Sequence, residues 1–169
     1  MQIRRQSFAC AGDAVMYKQL VNNISSAGEK IGAVTTFTVA SASCAGANML
    51  HGSFHSAGVF GFVTFGSAMY GMVELENIKS LVAMLPENET VAMLCGKMVG
   101  NSIRAGMYGI GTGLGLGLGA FGIMEGSGFP GAAFLAIATV STSRYFKHKI
   151  SSDSTSDTLL QVLWHRRRP

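Results

Sequence analysis

The chain has 169 residues, of which 48% are hydrophobic and only 13% are charged, and its formal net charge is +4. Ordinary soluble domains carry roughly 25% charged residues. The 22 glycines follow no Gly-X-Y period and are accompanied by only 3 prolines, which excludes collagen. Abundant apolar residues also argue against low-complexity disorder.

One stretch of the chain is completely uncharged. The 43 residues between Lys30 and Glu74 contain no Asp, Glu, Lys or Arg. A soluble domain needs charged surface at short intervals, and a chain of this length has too little other surface to cover so large a core. The gap therefore predicts an integral membrane protein.

The predicted fold is all-α, an integral membrane bundle of four short Gly-rich transmembrane helices, or five if the last apolar stretch also spans. Three regions follow from this pattern. Residues 1–30 are predicted to be a polar N-terminal segment with a short helix from Asp13 to Ile24. Residues 31–146 form the transmembrane helical domain, and residues 147–169 form a polar, basic C-terminal tail.

The first span is predicted at Ile31 to Leu50, where twenty residues at about 1.5 Å each match the hydrocarbon core of a bilayer. A loop around Pro86 is expected to end just before a helix that starts at Glu89-Thr90. The later apolar stretch 129–143 is short for a span, and residues 151–158 are predicted to be a solvated linker. The remaining predicted spans are 53–73, 90–103 and 105–124, with a turn at Arg104 between the last two.

Glycine alternates with larger residues from Gly109 to Gly119, and three interpretations compete. A dinucleotide loop would need glycine at position 114 or 116, where leucine stands, and a membrane β-barrel would need many such segments. The third interpretation is a helix whose glycines allow close approach of neighbouring backbones, as in GxxxG pairs. The glycines predicted to pack helices are Gly96, Gly100, Gly109, Gly111, Gly113, Gly115, Gly117 and Gly119.

Lys97 and Arg104 are the ionisable residues closest to a span interior, and such residues are functional candidates. Three roles are open for Lys97. It lines a polar cavity, it pairs with Glu74, Glu76 or an acid of another subunit, or its long side chain extends to the lipid headgroups by snorkelling. Arg104 is predicted to bind a lipid phosphate or helix-end carbonyls. Both are therefore expected to contact lipid or partner subunits.

No nucleophile–base pair, carboxylate dyad or Cys/His cluster stands out in the sequence. Cys10, Cys44 and Cys95 are widely separated, and Glu74 and Glu76 point away from each other on a helix. The chain is therefore predicted to be no enzyme and to hold no catalytic residue, cofactor or metal.

The pattern Gly96-x3-Gly100-x3-Arg104-x3-Tyr108-Gly109-Ile110-Gly111 resembles the mitochondrial inner-membrane translocase channel family. That family includes an accessory subunit of respiratory complex I, to which the local match is closest, and the resemblance covers about residues 27–124. It implies a multi-pass protein of the mitochondrial inner membrane that braces the membrane arm of complex I. The implied partners are other membrane subunits and phospholipid, cardiolipin in particular, with no nucleic acid.

Other assignments stay open beside the complex I subunit: a preprotein translocase subunit, a small transporter, or an accessory subunit of another inner-membrane complex such as ATP synthase. The near absence of acids in the spans counts against a presequence channel. Orientation is also open, because the resemblance implies termini in the intermembrane space. The basic residues near both ends would instead place the termini in the matrix.

Overall fold

The computed structural model describes residues 2–126 and 128–165. Over these residues the chain forms four helices and no strand, so the predicted all-α class is confirmed. They are α1 (Gln2–Leu50), α2 (Phe54–Val82), α3 (Glu89–Met124) and α4 (Gly128–His165). The basic residues 166–168, predicted to be part of the tail, lie outside the described residues.

Glycine ends two of the helices. Gly52 and Gly126 adopt φ of 75° and 76°, the left-handed conformation that commonly closes a helix at no steric cost to glycine. Their amides donate to the carbonyls of Met49 and Ile123 at 3.0 and 3.1 Å. The chain therefore reverses within a few residues after α1 and after α3.

The third connection lies at the opposite end of the molecule, around Pro86. Asn88 caps α3, since its Oδ1 accepts from the amides of Thr90 at 3.0 Å and Val91 at 3.4 Å. The predicted loop and the helix start at Glu89 are thus confirmed.

Three features of the predicted helix layout are wrong. α3 is one continuous helix, so Arg104 lies inside it and not at a turn between two spans. The predicted linker 151–158 is helical and belongs to α4, and the N-terminal helix is not confined to 13–24 but continues into the first span. α1 therefore continues without a break through residue 30, and α4 through residue 146, the two positions at which the predicted regions meet.

The helices pack as two antiparallel hairpins, α1–α2 and α3–α4, which meet along α1 and α3. α1 and α3 run parallel where they cross, so both hairpins extend from the crossing toward the same end. That end holds four segments without Asp, Glu, Lys or Arg: residues 31–50, 54–73, 105–124 and 128–143. We call these segments, together with the connections 51–53 and 125–127 that join them, the uncharged zone. The remaining residues form the charged zone.

The hydrophobic core lies entirely in the charged zone, where α1, α3, α4 and the loop before α3 meet. Its members are Leu20, Val21, Ile24, Leu85, Val91, Cys95, Met98, Leu159 and Leu163. The Oγ atoms of Ser25, Ser102 and Ser152 meet beside this core, with Ser102 at 2.9 Å from Ser25 and 2.7 Å from Ser152. One hydroxyl from each helix thus ties the three helices together.

Candidate functional site

Buried residues differ in size between the two zones. In the uncharged zone, every described residue that is buried is glycine, alanine or serine. They are Gly32, Ser41, Ala45, Ala57, Ala105, Gly106, Gly115, Gly119, Gly131, Ala138 and Ser141. Large apolar side chains of this zone lie outside; Phe54 and Phe62 are 75% and 79% exposed. The zone therefore has the small-residue interior and apolar exterior of helices packed in lipid.

Four exposed hydroxyl groups in the uncharged zone have hydrogen-bond acceptors within their own helices. Thr35, Ser43, Thr64 and Thr139 each donate to the carbonyl four residues earlier, at 2.7 to 2.9 Å. Because hydrocarbon offers no hydrogen-bond partner, an exposed hydroxyl in lipid needs such an internal acceptor. The many Ser and Thr residues of α1 are thus compatible with an apolar surrounding.

The closest approach between helices occurs where α1 crosses α3. A Cβ placed on Gly32 would lie 2.7 Å from the carbonyl carbon of Ile103, and one on Gly106 would lie 2.7 Å from that of Glu29. A Cβ on Gly28 would lie 2.9 Å from Cβ of Ser102. Gly28 and Gly32 are not among the predicted packing glycines, although Gly28-x3-Gly32 is itself a GxxxG pair.

Four of the predicted packing glycines face α4. Cβ atoms on Gly109 and Gly111 would lie 3.6 Å from the Tyr145 ring and 3.2 Å from Oγ of Ser141. Those on Gly115 and Gly119 would lie only 2.9 Å from Ala138 and 2.7 Å from Leu135. These glycines set the separation of α3 and α4.

The other four predicted glycines have open surroundings. Cβ atoms built on Gly96, Gly100, Gly113 and Gly117 would meet nothing within 4 Å. Gly113 and Gly117 lie in the uncharged zone, whereas Gly96 and Gly100 lie in the charged zone. Within the described part of the chain, these glycines are not used for packing.

Charged side chains from three helices meet directly below the uncharged zone. Lys30 lies 3.5 Å from Glu74, and Lys149 pairs with Glu29 and lies 3.7 Å from Asp153. A hydrogen bond from Tyr70 holds the pKa of the Glu74 carboxyl below its ordinary value, and the bond to Glu29 raises the pKa of Lys149. We call this level, which Arg104 shares, the boundary layer.

Lys97 and Arg104 are both exposed, and none of the ion pairs among the described residues includes them. The two acids predicted as partners of Lys97 are engaged elsewhere, Glu74 with Lys30 and Glu76 with Lys79 at 2.6 Å. Lys97 therefore does not pair with either of them in this structure.

A polar cleft of about 400 Å³ opens between α1 and α4 in the charged zone. It is lined by Lys18, Asn22, Ser25, Ser26, Glu29, Lys149, Asp153, Ser156, Asp157 and Leu160. Among the residues described, no group of three or more His, Cys, Asp or Glu side chains is arranged to hold a metal ion. The predicted lack of catalysis stays a prediction.

Two of the helices, α2 and α3, are long and apolar enough to cross a membrane. Their most apolar 18-residue windows are only 6% and 17% buried, unlike the core helices of a soluble protein. Comparisons with family models, curated proteins and solved structures give no match for the chain. The resemblance to the translocase channel family thus rests on the residues quoted above, and complex I membership stays a prediction.

Proposed function

We propose that the chain is a non-catalytic, multi-pass membrane subunit in which each of the four helices contributes one span. The observation that supports this is the inverted distribution of apolar side chains. Among the described residues, every large apolar side chain that is buried lies in the charged zone, where such residues form a core, whereas the uncharged zone exposes its large apolar residues and buries only small ones. The uncharged segments of α1, α2 and α3 each have twenty residues, which corresponds to about 30 Å.

The assembly that we propose is respiratory complex I of the mitochondrial inner membrane, which the Gly96–Gly111 pattern favours. The four proposed spans are not the four that the sequence predicts. The predicted third and fourth spans belong to the single helix α3, and α4 supplies the fourth span instead. Open glycines and exposed aromatic residues on the uncharged zone suit contact with helices of larger subunits. The proposed role is to brace the membrane arm by helix packing, together with phospholipid.

The distribution of cations supports one orientation. All 13 Lys and Arg residues lie outside the uncharged segments and outside the two connections at 51–53 and 125–127. Four spans place both termini on one side, and cations gather on the side from which a membrane protein is not translocated. We therefore place the charged zone in the matrix, opposite to the arrangement that the family resemblance implies.

Assembly is tested by enlarging the open glycines. Gly113→Leu with Gly117→Leu fills space that is empty within the chain, so the monomer is expected to keep its fold. The matched control is Ala132→Leu with Ala136→Leu, an exposed pair of the same spacing on α4. Tagged variants are expressed in mitochondria, and native complexes from gently solubilised membranes are separated and identified by mass spectrometry.

We expect the wild type and the control to co-migrate with NADH:ubiquinone oxidoreductase and the glycine variant to be lost from it. Recovery of the wild type only with import machinery or with ATP synthase would refute the complex I assignment. Recovery of a folded chain in detergent-free buffer would refute the membrane assignment itself.

Orientation is tested with single cysteines in a variant whose three native cysteines are replaced by serine. Ser53→Cys lies in the connection of the uncharged zone, and Glu87→Cys in the connection of the charged zone; both positions are exposed. In mitoplasts, an impermeant maleimide is expected to label Cys at 53 and to reach Cys at 87 only after the membrane is opened. The reverse pattern would place the termini in the intermembrane space.

A further inference from the structure

Three cations share one region of the α3–α4 hairpin at the boundary layer. Arg104 lies on α3, and Arg144 and Lys147 lie on α4, which runs antiparallel beside it; all three are exposed. Between them the rings of Tyr108 and His148 stack with centroids 5.6 Å apart and an interplanar angle of 1°. We call Arg104, Arg144 and Lys147 the basic face.

The basic face carries charge that no acid compensates. Among the described residues, no ion pair includes any of its three cations. The nearby acids are directed to the other side of α4, where Asp153 and Asp157 line the cleft toward α1. The pKa of His148 is held below its ordinary value by burial first, and then by Arg104, Lys147 and Arg144. Arg104 lies one turn from Tyr108, and Arg144 and Lys147 lie within one turn of His148, so the stacked rings bring the three cations to one side of the hairpin.

The second feature of the basic face is its position along the helix axes, at the edge of the uncharged zone. Asn101, one turn before the boundary, donates to Ser151 at 3.0 Å, and its Oδ1 lies 3.4 Å from Nδ1 of His148. Together with the stack on Tyr108, these contacts place His148 at the junction between the last charged turn of α3 and the first turns of the uncharged segment 105–124. An anion bound here would have water on one side and apolar helix surface on the other.

We propose that the basic face binds the phosphate of an anionic phospholipid, with the acyl chains lying along the uncharged zone. Charge complementarity favours a phosphate, because guanidinium groups match its geometry with paired hydrogen bonds. The position at the boundary layer favours a lipid over a soluble anion. The inference rests on the membrane placement proposed above and adds to it a specific headgroup position.

The test uses the purified full-length chain in a neutral detergent. Phosphatidylglycerol or phosphatidylcholine is titrated in, and bound lipid is counted by native mass spectrometry. Arg104→Gln with Arg144→Gln removes two cations of the face, and Lys18→Gln with Lys79→Gln removes two exposed cations elsewhere. Arg104→Lys with Arg144→Lys keeps the charge, and circular dichroism checks that all variants remain helical.

We expect the wild type and the control to prefer phosphatidylglycerol, and the site variant to bind it about 30-fold more weakly, as two cations near an anionic lipid predict. The lysine variant should bind phosphatidylglycerol more tightly than the glutamine variant but less tightly than the wild type, because it keeps the charge and loses the paired hydrogen bonds. Equal weakening in the control, or no preference in the wild type, would overturn the proposal. So would displacement of the lipid by millimolar inorganic phosphate, which would indicate a simple anion site.

The two proposals fail in different ways. A chain that is embedded in the membrane but shows no headgroup preference refutes only the lipid site. A chain that folds without detergent refutes the membrane placement before any lipid is added.

Discussion

Adding a single methyl group at the crossing of α1 and α3 should force the two helices apart. In Gly32→Ala the new Cβ lies 2.7 Å from the carbonyl carbon of Ile103 and 2.8 Å from the amide nitrogen of Met107. The carbonyl oxygen of Ile103 lies closer still to the new Cβ, and ordinary van der Waals contact begins at 3.4 Å, so the backbones must separate by considerably more than about 0.7 Å. All three obstacles are main-chain atoms, which cannot rotate away as a side-chain end does.

The expected loss follows from that displacement. A gap of about 0.5–1 Å already forfeits a quarter to a half of each dispersion contact along the crossing, and a wider separation forfeits more. Overpacking typically costs about 1–3 kcal/mol, and a clash with three backbone atoms should lie at the upper end of that range. For a chain of this length, such a loss lowers Tm by about 2–12 °C. Thermal unfolding in mild detergent, followed by circular dichroism at 222 nm, measures it.

Gly113→Ala on α3 is the control, because a Cβ at this helical position meets nothing within 4 Å. It gains the same helix propensity, up to about 1 kcal/mol, without the clash. Gly106→Ala should resemble Gly32→Ala, and the double variant should lose less than the sum, since one separation relieves both contacts. A Gly32→Ala protein as stable as Gly113→Ala would refute the close crossing.

Three further predictions concern single side chains of the charged zone. Asn88→Ala removes the cap of α3 and should cost about 1 kcal/mol in the free energy of unfolding, measured by denaturant titration; Asn88→Asp should restore it. Ser102→Ala removes the central hydroxyl of the buried serine cluster and should cost roughly 1 kcal/mol in the same titration, while Ser154→Ala on the exposed surface should change little. The pKa of His148 is lower in the folded protein than its ordinary value near 6.5, so the unfolded chain binds more protons below that value. Tm should therefore fall as pH drops from 7.5 through 6.5, and His148→Gln should flatten this dependence; an unchanged slope would contradict it.

The sequence was sufficient for the helical class, the connection at Pro86 and the uncharged segments, because each depends on local composition. It failed at Arg104 because a charge marks where a helix leaves an apolar layer, and a helix can leave that layer without ending. α3 continues through Arg104 with its backbone hydrogen bonds intact.

The two helix extensions could not be inferred from neighbouring residues. Leu20 and Ile24 of α1 and Leu159 of α4 are fully or almost fully buried only because α3 supplies Val91 and Met98 between them. Those partners are remote in sequence, so the polar surroundings of residues 20–24 and 151–158 resembled a solvated segment and a linker. The glycines at the crossing were missed for the same reason.

The connections between α1 and α2 and between α3 and α4 are short, and this affects how the chain would insert into a membrane. If the charged zone stays in the matrix, only these two connections have to cross the membrane, and their ionisable side chains are His51 and Glu125. Each connection also joins two helices that pack against each other. Under the proposed membrane placement, each hairpin can therefore enter the bilayer as a prepaired unit, with few hydrophilic groups to carry through the hydrocarbon layer. Inserting several lysines between Gly52 and Ser53 should consequently stall biogenesis, even though the mature fold has open space to accommodate them.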